Sequence, residues 1–437
     1  MEEIEITKVM ENDDLRIIAG MAAELGVDAY LVGGSLRDCL LGRETKDLDF
    51  ALSGAWEELP RIFAARICGT FFWLDEERLQ GRVVKKTGGE LSFFDFAPLR
   101  GETVANDLAL RDFTINALAL PLGGDRRELI DPLAGRDDLL HGLIRACSAA
   151  AFDDDPLRLM RAIRFAAELG FAIEENTWET LCAKGALLKA VAGERVRDEL
   201  FRTLAAPGCG VSLKQLCDSG LWAEILSAQE WGACAERIPR LEEAEQLCME
   251  VGRLFPESAE SLADYLNREV EAGISVLSII RLAAVLGSGD RGWAAPLARR
   301  LRLGKEAGRV LDLFCLDERA VYGMLEQSPA ERVIYRFFRD REPAGPGMLI
   351  IARAGGAVST ECFLSLMGYW LRYYEAGEAD LFLSGGEVMG ILGVPPGQVV
   401  GEAMESLRVA EGGGIVNSRE EARQFIKNLL TSKPPMR

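Results

Sequence analysis

Histidine is nearly missing from this chain: His141 is the only one in 437 residues. That scarcity excludes a His-Asp metal phosphohydrolase, a catalytic triad relying on several histidines, and most zinc hydrolases. The Leu-Leu-His-Gly-Leu setting of His141 points to a structural role. Ten cysteines are scattered singly with no Cys-x-x-Cys, so neither a zinc site nor a disulfide framework is indicated. Most read as small core residues in a reducing compartment. No apolar run approaches the ~18 residues needed to span a bilayer, and the opening MEEIEITKVMENDD is acidic with no apolar signal core. The expectation is a soluble, cytoplasmic protein. Cations are short as well: 50 Lys and Arg stand against 69 Asp and Glu, a formal net charge of −19. A field of that sign argues against broad, non-specific nucleic-acid binding but leaves room for a local basic groove. With few prolines and 49% apolar residues, the chain can bury large cores in about two to four domains.

What is present is concentrated first in Leu31–Phe50, LVGGSLRDCLLGRETKDLDF. Ala29–Val32 reads as a buried strand, and Gly33-Gly34 at its end would let backbone N–H groups approach a triphosphate. Ser35 is placed to cap the following helix, so that the helix's positive end faces the phosphates. Lys46-Asp47-Leu48-Asp49-Phe50 alternates, so in a strand Asp47 and Asp49 share one face while Leu48 and Phe50 point to the core. Two such carboxylates repel unless a cation lies between them. A pair of Mg²⁺ ions suits them, since magnesium takes carboxylate, water and phosphate oxygens and two ions can clamp an in-line displacement. The competing reading is a solvated strand edge with two chance aspartates.

This stretch resembles the signature of the class II tRNA nucleotidyltransferases (CCA-adding enzymes) and their bacterial poly(A) polymerase relatives: Gly-Gly, Arg-Asp, Leu-Leu-Gly-Arg, then Asp-x-Asp. The resemblance implies that Asp47 and Asp49 hold Mg²⁺, and that Gly33, Gly34, Arg37 and Arg43 help hold the triphosphate.

The surrounding chain predicts an α+β head. A helix at 14–27 and helical spacing over Trp56–Arg66 flank the first strands. Thr70–Leu74, Arg82–Lys86 and Leu91–Pro98 then read as strands with turns at Glu76-Glu77 and Gly88-Gly89, giving a small mixed sheet. Asp95, in Phe-Phe-Asp-Phe, reads either as a third acid or as a strand-end aspartate bonded to a backbone amide. In Arg111-Asp112-Phe113-Thr114-Ile115-Asn116-Ala117, Arg111 offers a donor fork for phosphate, Asp112 an acceptor suited to a ribose hydroxyl, and Asn116 both functions. The alternative is a helix-start salt bridge. The run matches the family's second motif, which implies contact with sugar and triphosphate, although Leu110 stands where the family often has another arginine. Leu129–Gly135 resembles the turn that closes the family's head.

Asp155-Pro156-Leu157-Arg158 reads as an aspartate cap with proline at the first helical position. Yet Asp155 and Arg158 are three apart and would share a helix face, with Arg161 a turn on. The family's base-reading motif has an acid and an arginine at this spacing. An aspartate accepting from an exocyclic amine and an arginine donating to a ring nitrogen would fit cytosine and adenine, and would leave guanine and uracil with unpaired groups.

Beyond this the chain reads as helical. The expected organisation is a nucleotidyltransferase head at 1–137, then an all-α neck at 138–208, a body at 209–360 and a tail at 361–437. Glu194–Phe201 resembles the family's fifth motif, which implies a brace for the preceding helices without chemistry. Arg299, Arg300, Arg302, Lys305 and Arg309 against one acid, Glu306, form either a solvated helix face or a phosphate-contacting stripe for a tRNA arm. Arg332, Arg336 and Arg339 repeat the pattern more weakly around Phe337-Phe338. Pro343–Gly347 reads as a hinge or loop, Leu383–Gly401 resembles the family's tail, where a helical unit docks the tRNA elbow, and Lys433–Arg437 reads as a frayed end.

The resemblance therefore implies template-independent addition of CMP, and in complete enzymes also AMP, to a tRNA 3′ end from CTP and ATP. Complete CCA-adding enzymes carry a flexible loop between the third-acid strand and the second motif. Here only fifteen positions, 96–110, separate Asp95 from Arg111, which favours a CC-adding member over full CCA addition. A poly(A) polymerase would be expected to have a more basic surface. An inactive RNA-binding scaffold would not need the acid pair and both arginine motifs together.

Overall fold

The computed structural model describes residues 12–43, 45, 47–54, 57–123, 128–227, 234–327, 330–374, 381–412 and 415–431. The acidic opening, Lys46, Trp56 and the end at Lys433–Arg437 lie outside them, as does the side chain of Arg332. The chain divides into two compact units, Met1–Val191 with Ser219–Leu221, and Ala192–Asp218 with Trp222–Arg437. The first boundary falls inside the segment expected to be a neck.

The first unit opens with α1 (Asp13–Leu25), capped by the Asn12 carboxamide and closed by Gly26 in the left-handed region. Then come β1 (Ala29–Val32), α2 (Gly33–Leu40), β2 (Asp47–Leu52), α3 (Glu58–Arg66), β3 (Thr70–Asp75), β4 (Gln80–Thr87), β5 (Glu90–Pro98), α4 (Val104–Ala109), β6 (Ala119–Pro121) and α5 (Gly135–His141). Six strands form one mixed sheet in the order β3-β4-β5-β2-β1-β6. Only β2 and β5 run parallel. Gly88 and Gly89 both have positive φ, 62° and 94°, and form the two-residue turn that β4 and β5 need to pair Thr87 with Glu90.

Alternation along β2 and β5 buries Leu48, Phe50, Phe94 and Phe96 on one face. Phe50 stacks on Phe96 at 4.9 Å, and Phe63 of α3 meets Phe94 and Phe96 edge-on. Each fully buried ring contributes roughly 1.5–3 kcal/mol. This packing locks the strand register and so commits the opposite face to the polar residues. Gly135, at the start of α5, is required by contact: a Cβ there would stand 2.0 Å from the Thr114 carbonyl oxygen. His141 ends α5, its ring Nδ1 2.7 Å from the Asp137 carbonyl. Further on are β7 (Leu143–Ile144), α6 (Ala151–Asp154), α7 (Arg158–Leu169) and β8 (Ala172–Ile173), with β7 and β8 paired in parallel.

Among its described residues the regular structure of the second unit is helical apart from a small ribbon of Glu269–Glu271 with Ile274–Ser275. Its centre is the helix Val276–Val285, which packs against Ile238–Leu254, Lys305–Phe314 and Gly345–Ala354. Arg281 lies within this core, donating to the Leu204 carbonyl at 2.6 Å and pairing with Glu245 at 2.8 Å. Three C-terminal helices, Gly385–Leu392, Gln398–Gly412 and Arg419–Thr431, close over a core of their own. The first has a reciprocal Ser384–Glu387 capping box. Of Pro343–Gly347, expected to be a hinge or loop, Pro343 and Ala344 lie in a turn, but Gly345–Gly347 begin a buried helix with Pro346 in its first turn, where proline's missing N–H costs nothing. Among the described residues no helix is long and apolar enough to cross a membrane.

None of the ten cysteines is in a disulfide. Cys209, Cys234, Cys315 and Cys362 are buried, Cys39, Cys147, Cys217 and Cys248 are half-buried, and Cys68 and Cys182 are exposed.

Candidate active site

The polar face of the sheet carries three aligned side chains on neighbouring strands. Asp49 of β2 pairs in register with Asp95 of β5, which pairs with Arg82 of β4. Asp47 sits two residues before Asp49, on the same face and exposed. Arg82 grips Asp95 with both arms of its fork, Nε to Oδ1 at 2.6 Å and Nη2 to Oδ2 at 2.7 Å. Asp95 is thus held by a guanidinium, not by the backbone amide considered from sequence. Asp49 has no such clamp. Burial, then the nearby Asp95, raise its carboxyl to about 6 against the opposing pull of Arg111 and the Ser35 contact, with Asp47 adding to the rise.

Ser35 does not cap α2. The helix begins two residues earlier, with Val32 in the cap position. Instead the Ser35 hydroxyl donates to the Val32 carbonyl at 2.8 Å and accepts from the Asp49 N–H at 3.0 Å. It ties the end of β1 to the acid strand beside it. Gly33 has φ +72°, and a Cβ there would lie 3.1 Å from Arg111 Nη1 and 3.2 Å from Asp49 Oδ2. Glycine is therefore what allows the strand end, the carboxylate and the guanidinium to close together. Gly34 meets only ordinary contact with Arg37. Arg43 is exposed on the loop after α2, its N–H bonded to the Asp38 carbonyl at 2.8 Å.

Arg111 reaches this acid face from the end of α4. Its Nε and Nη2 are fixed by Asp107 at 3.1 and 2.9 Å, and Arg100 donates to the other oxygen of the same carboxylate. Burial would raise Asp107, but the two arginines hold it below the usual carboxylate range. One nitrogen of Arg111, Nη1, is left directed at Gly33 and Asp49.

Asp112, Asn116, Arg37 and Arg161 form a second, buried network. Asp112 Oδ1 accepts from the Phe113 N–H at 2.8 Å and from Asn116 Nδ2 at 3.0 Å. Its Oδ2 accepts from Arg161 Nε at 3.0 Å and Nη2 at 2.5 Å. Burial works to raise this carboxyl, yet Arg161 and the amide donors keep it lowered. Asn116 Oδ1 in turn accepts from Arg37 Nη1 at 2.7 Å, while the rest of the Arg37 fork holds Asp38. The guanidinium groups of Arg37 and Arg161 each lie 5.1 Å from the Phe165 ring centre. The carboxylate expected to accept from ribose is therefore engaged in positioning Arg161.

Asp155 and Arg158 do not share a helix face. Asp155 precedes α7 in extended backbone, φ −145°, and its carboxylate accepts from the Leu157 N–H at 3.2 Å, as a cap would. Arg158 opens the helix and donates to the Ala151 and Leu110 carbonyls at 3.1 and 2.9 Å. Leu110, the position that departs from the family pattern, thus anchors Arg158 through its backbone. Sequence reasoning missed Arg82, Arg100 and Asp107. The period-two pattern of β4 does put Arg82 on the polar face, but its partner is visible only once the register is known.

In the second unit, Arg299 and Arg300 end the helix Ala295–Arg300, Arg302 lies in the following turn, and Lys305 and Arg309 belong to Lys305–Phe314. Arg309 is paired with Glu306 at 2.7 Å. Arg336 and Arg339 of the weaker basic stripe share one carboxylate, Glu405, at 3.0 and 3.2 Å.

The sequence matches the Poly A polymerase head domain family over residues 29–145 and "Probable RNA and SrmB- binding site of polymerase A" over 170–231. It is 42% identical to a CC-adding tRNA nucleotidyltransferase of Geobacter sulfurreducens, over 96% of each chain. Identity is 31% to an A-adding tRNA nucleotidyltransferase of Deinococcus radiodurans, over 93% of this chain and 96% of that one. Among solved structures, a CCA-adding enzyme in complex with CTP aligns with a TM-score of 0.72 at 23% identity, covering 96% of this chain and 95% of the other.

Proposed function

The chain belongs to the tRNA nucleotidyltransferase family, and we propose that it adds CMP to the 3′ end of tRNA, two residues per molecule, with CTP as donor. The 3′-hydroxyl oxygen attacks the α-phosphorus of CTP, a 3′–5′ phosphodiester forms, the bond to the β-phosphate oxygen breaks, the hydroxyl proton is lost and pyrophosphate leaves.

The donor set of Asp47 and Asp49 fits Mg²⁺. These are hard oxygens two residues apart on one strand face, with Asp95 aligned beside them. Burial first, then repulsion from Asp95 and Asp47, raises Asp49 to about 6, and a divalent cation would relieve the repulsive part. Among the described residues no three His, Cys, Asp or Glu side chains form a metal site by themselves, so phosphate oxygens would complete the shell. When bound, the metal would draw charge off the transferring phosphate and acidify the attacking hydroxyl.

The protein's own groups do the rest. Arg82 aims Asp95 at the same edge. Arg111, with one nitrogen directed over Gly33, is placed to meet a phosphate oxygen beside the acids. Arg161, fixed by Asp112 and lying over Phe165, and Asp155 with Arg158, supply donors and acceptors for the base.

The observation that carries the CC reading is the link from Asp95 to Arg111. β5 ends at Pro98, Gly101 turns at φ 107°, Thr103 caps α4, and Asp107 of α4 binds Arg100 and Arg111. The connection is short and tied at both ends by charge, leaving no length for a segment that repositions the pocket for ATP. The 42% identical CC-adding relative supports the same choice. Replacing Asp47 with Ala tests the catalytic assignment: incorporation of labelled CMP should vanish while tRNA binding persists. Undiminished incorporation would refute it.

A further inference from the structure

We propose that the concavity between the helices Ala295–Arg300 and Lys305–Phe314 is a preformed binding site for backbone phosphates of tRNA, a site outside the acid centre and dependent on the tRNA reading given above. The cavity measures about 550 Å³, and Arg299, Arg302, Lys305 and Arg309 all line it. Cations that merely solvate a helix spread over a convex face; these converge from the end of one helix, a turn and the start of the next.

Their charge is largely uncommitted. Among the described residues Arg299 and Lys305 have no ion-pair partner within bonding distance, and Arg302 has only a loose one, Glu194 at 3.6 Å. Arg309 is the exception, spent on Glu306 and the Glu342 carbonyl. The one acid in the lining, Asp312, is occupied by the N–H groups of Gly292 and Ala294.

The turn is held in a conformation that a solubility patch does not need. Arg302 adopts φ +54°, rare for a residue with a Cβ. Its carbonyl accepts from Arg197 Nη1 at 3.0 Å. The same nitrogen bonds Glu271 Oε1 at 3.0 Å, and Glu271 Oε2 accepts from the Gly304 N–H at 2.7 Å. Gly193 makes the approach possible, since a Cβ there would lie 2.0 Å from the Arg300 carbonyl oxygen. The motif around Arg197 is thus the brace of the basic turn.

In a chain of net charge −19, cations fixed at one place attract a polyanion locally. No lining residue carries an aromatic ring to stack a base, which favours a sugar-phosphate backbone over a free nucleotide.

The test measures binding of a tRNA transcript to the full chain as a function of KCl concentration, for the wild type and for the Arg299→Gln/Lys305→Gln double variant. The expected result is about tenfold weaker binding, with the log–log salt slope shallower by about two. Arg336→Gln, whose partner Glu405 lies elsewhere, should leave the slope unchanged. Equal slope and affinity in the double variant would overturn the proposal while leaving the catalytic reading intact, provided the wild type still extends tRNA with CTP. A wild type that neither binds nor extends tRNA would instead remove the reading on which it rests. Inorganic phosphate and CTP serve as further probes: loss of their binding with tRNA binding unchanged would assign the cavity to a free phosphate compound and also overturn the proposal.

Discussion

Arg37, Arg82, Arg111, Arg158 and Arg161 of the first unit are each tied to a carboxylate, an amide or a carbonyl, whereas Arg299 and Lys305 of the second have no such partner among the described residues. The two regions use the same residue type for different physical ends. Around the acid strand the value of a guanidinium lies in its direction. A fork already fixed by Asp95, Asp107 or Asp112 loses little further entropy when a nucleotide arrives. In the basic turn the value lies in uncommitted charge, because attraction of a polyanion depends on cations free to replace its counterions. The backbone of that turn is held by Arg197 and Glu271.

The comparison can be broken most severely at the acids. Asp49→Asn removes one of the two metal-holding carboxylates and also the source of the repulsion beside Asp95. A lost outer-shell partner typically costs 10–100-fold, so loss of this group should cost more than about a hundredfold in CMP incorporation, with the circular dichroism spectrum unchanged. Activity within a few-fold of wild type would mean that the chemistry is elsewhere.

Next in size is Asp112→Asn. It leaves Arg161 without its charge partner, and because the Arg161 side chain is 31% exposed the cost should be about 2 kcal/mol and not the ~3–5 of a fully buried pair. The effect has a defined pH signature. Asp112 is lowered in the folded protein relative to the unfolded value of ~3.9. Its stabilising contribution is therefore complete above the unfolded value and is lost as pH falls through the folded one. The gap in urea midpoint between wild type and variant should be constant from neutral pH to about pH 5 and narrow below about pH 4. A gap that widens in acid would contradict the assignment.

Gly33→Ala should cost about 1–2 kcal/mol from the left-handed backbone alone. It should also lower incorporation, because the new methyl displaces Arg111 or Asp49. The same change at Gly34, which has no positive φ, should be mild, and comparing the two by thermal melting and CMP incorporation checks the distinction. Smallest is Arg336→Gln. Its pair with Glu405 is half exposed, and such pairs are worth roughly 0–1 kcal/mol. The melting temperature should scarcely move, and a large drop would show that the Arg336–Arg339–Glu405 cluster does more than decorate a surface.

Much of the head was legible because its signals are local. The Asp-x-Asp alternation, the Gly88-Gly89 turn and the strand runs all act over a few residues, and the observed strands extend the expected ones by only a residue or two at either end. What escaped depends on register or on distance along the chain. Arg82 and Asp95 meet because β4 pairs with β5 in one alignment, and Asp112 meets Arg161 because α7 folds back onto the head. Neither partner is inferable from spacing. Ser35 was misassigned because a serine after two glycines suits a cap equally well, and its actual partner, the Asp49 N–H, belongs to the neighbouring strand. Pro343–Gly347 has the composition of a loop, yet burial against Phe314, Phe338 and Tyr265 recruits Gly345–Gly347 into a helix start. The resemblance of Glu194–Phe201 pointed to a brace for the preceding helices, whereas Arg197 holds Glu271 and the Arg302 carbonyl, far along the chain.

The most direct measurement uses purified protein, Mg²⁺ and a tRNA transcript ending at the discriminator base, with CTP alone, ATP alone and both together, and reads product length on a sequencing gel. Two added nucleotides whenever CTP is present, with no addition from ATP to a tRNA already ending in CC, is the predicted result. Three nucleotides with both substrates would contradict it, because the short, charge-tied connection from Asp95 to Arg111 would then be compatible with a pocket that turns over ATP.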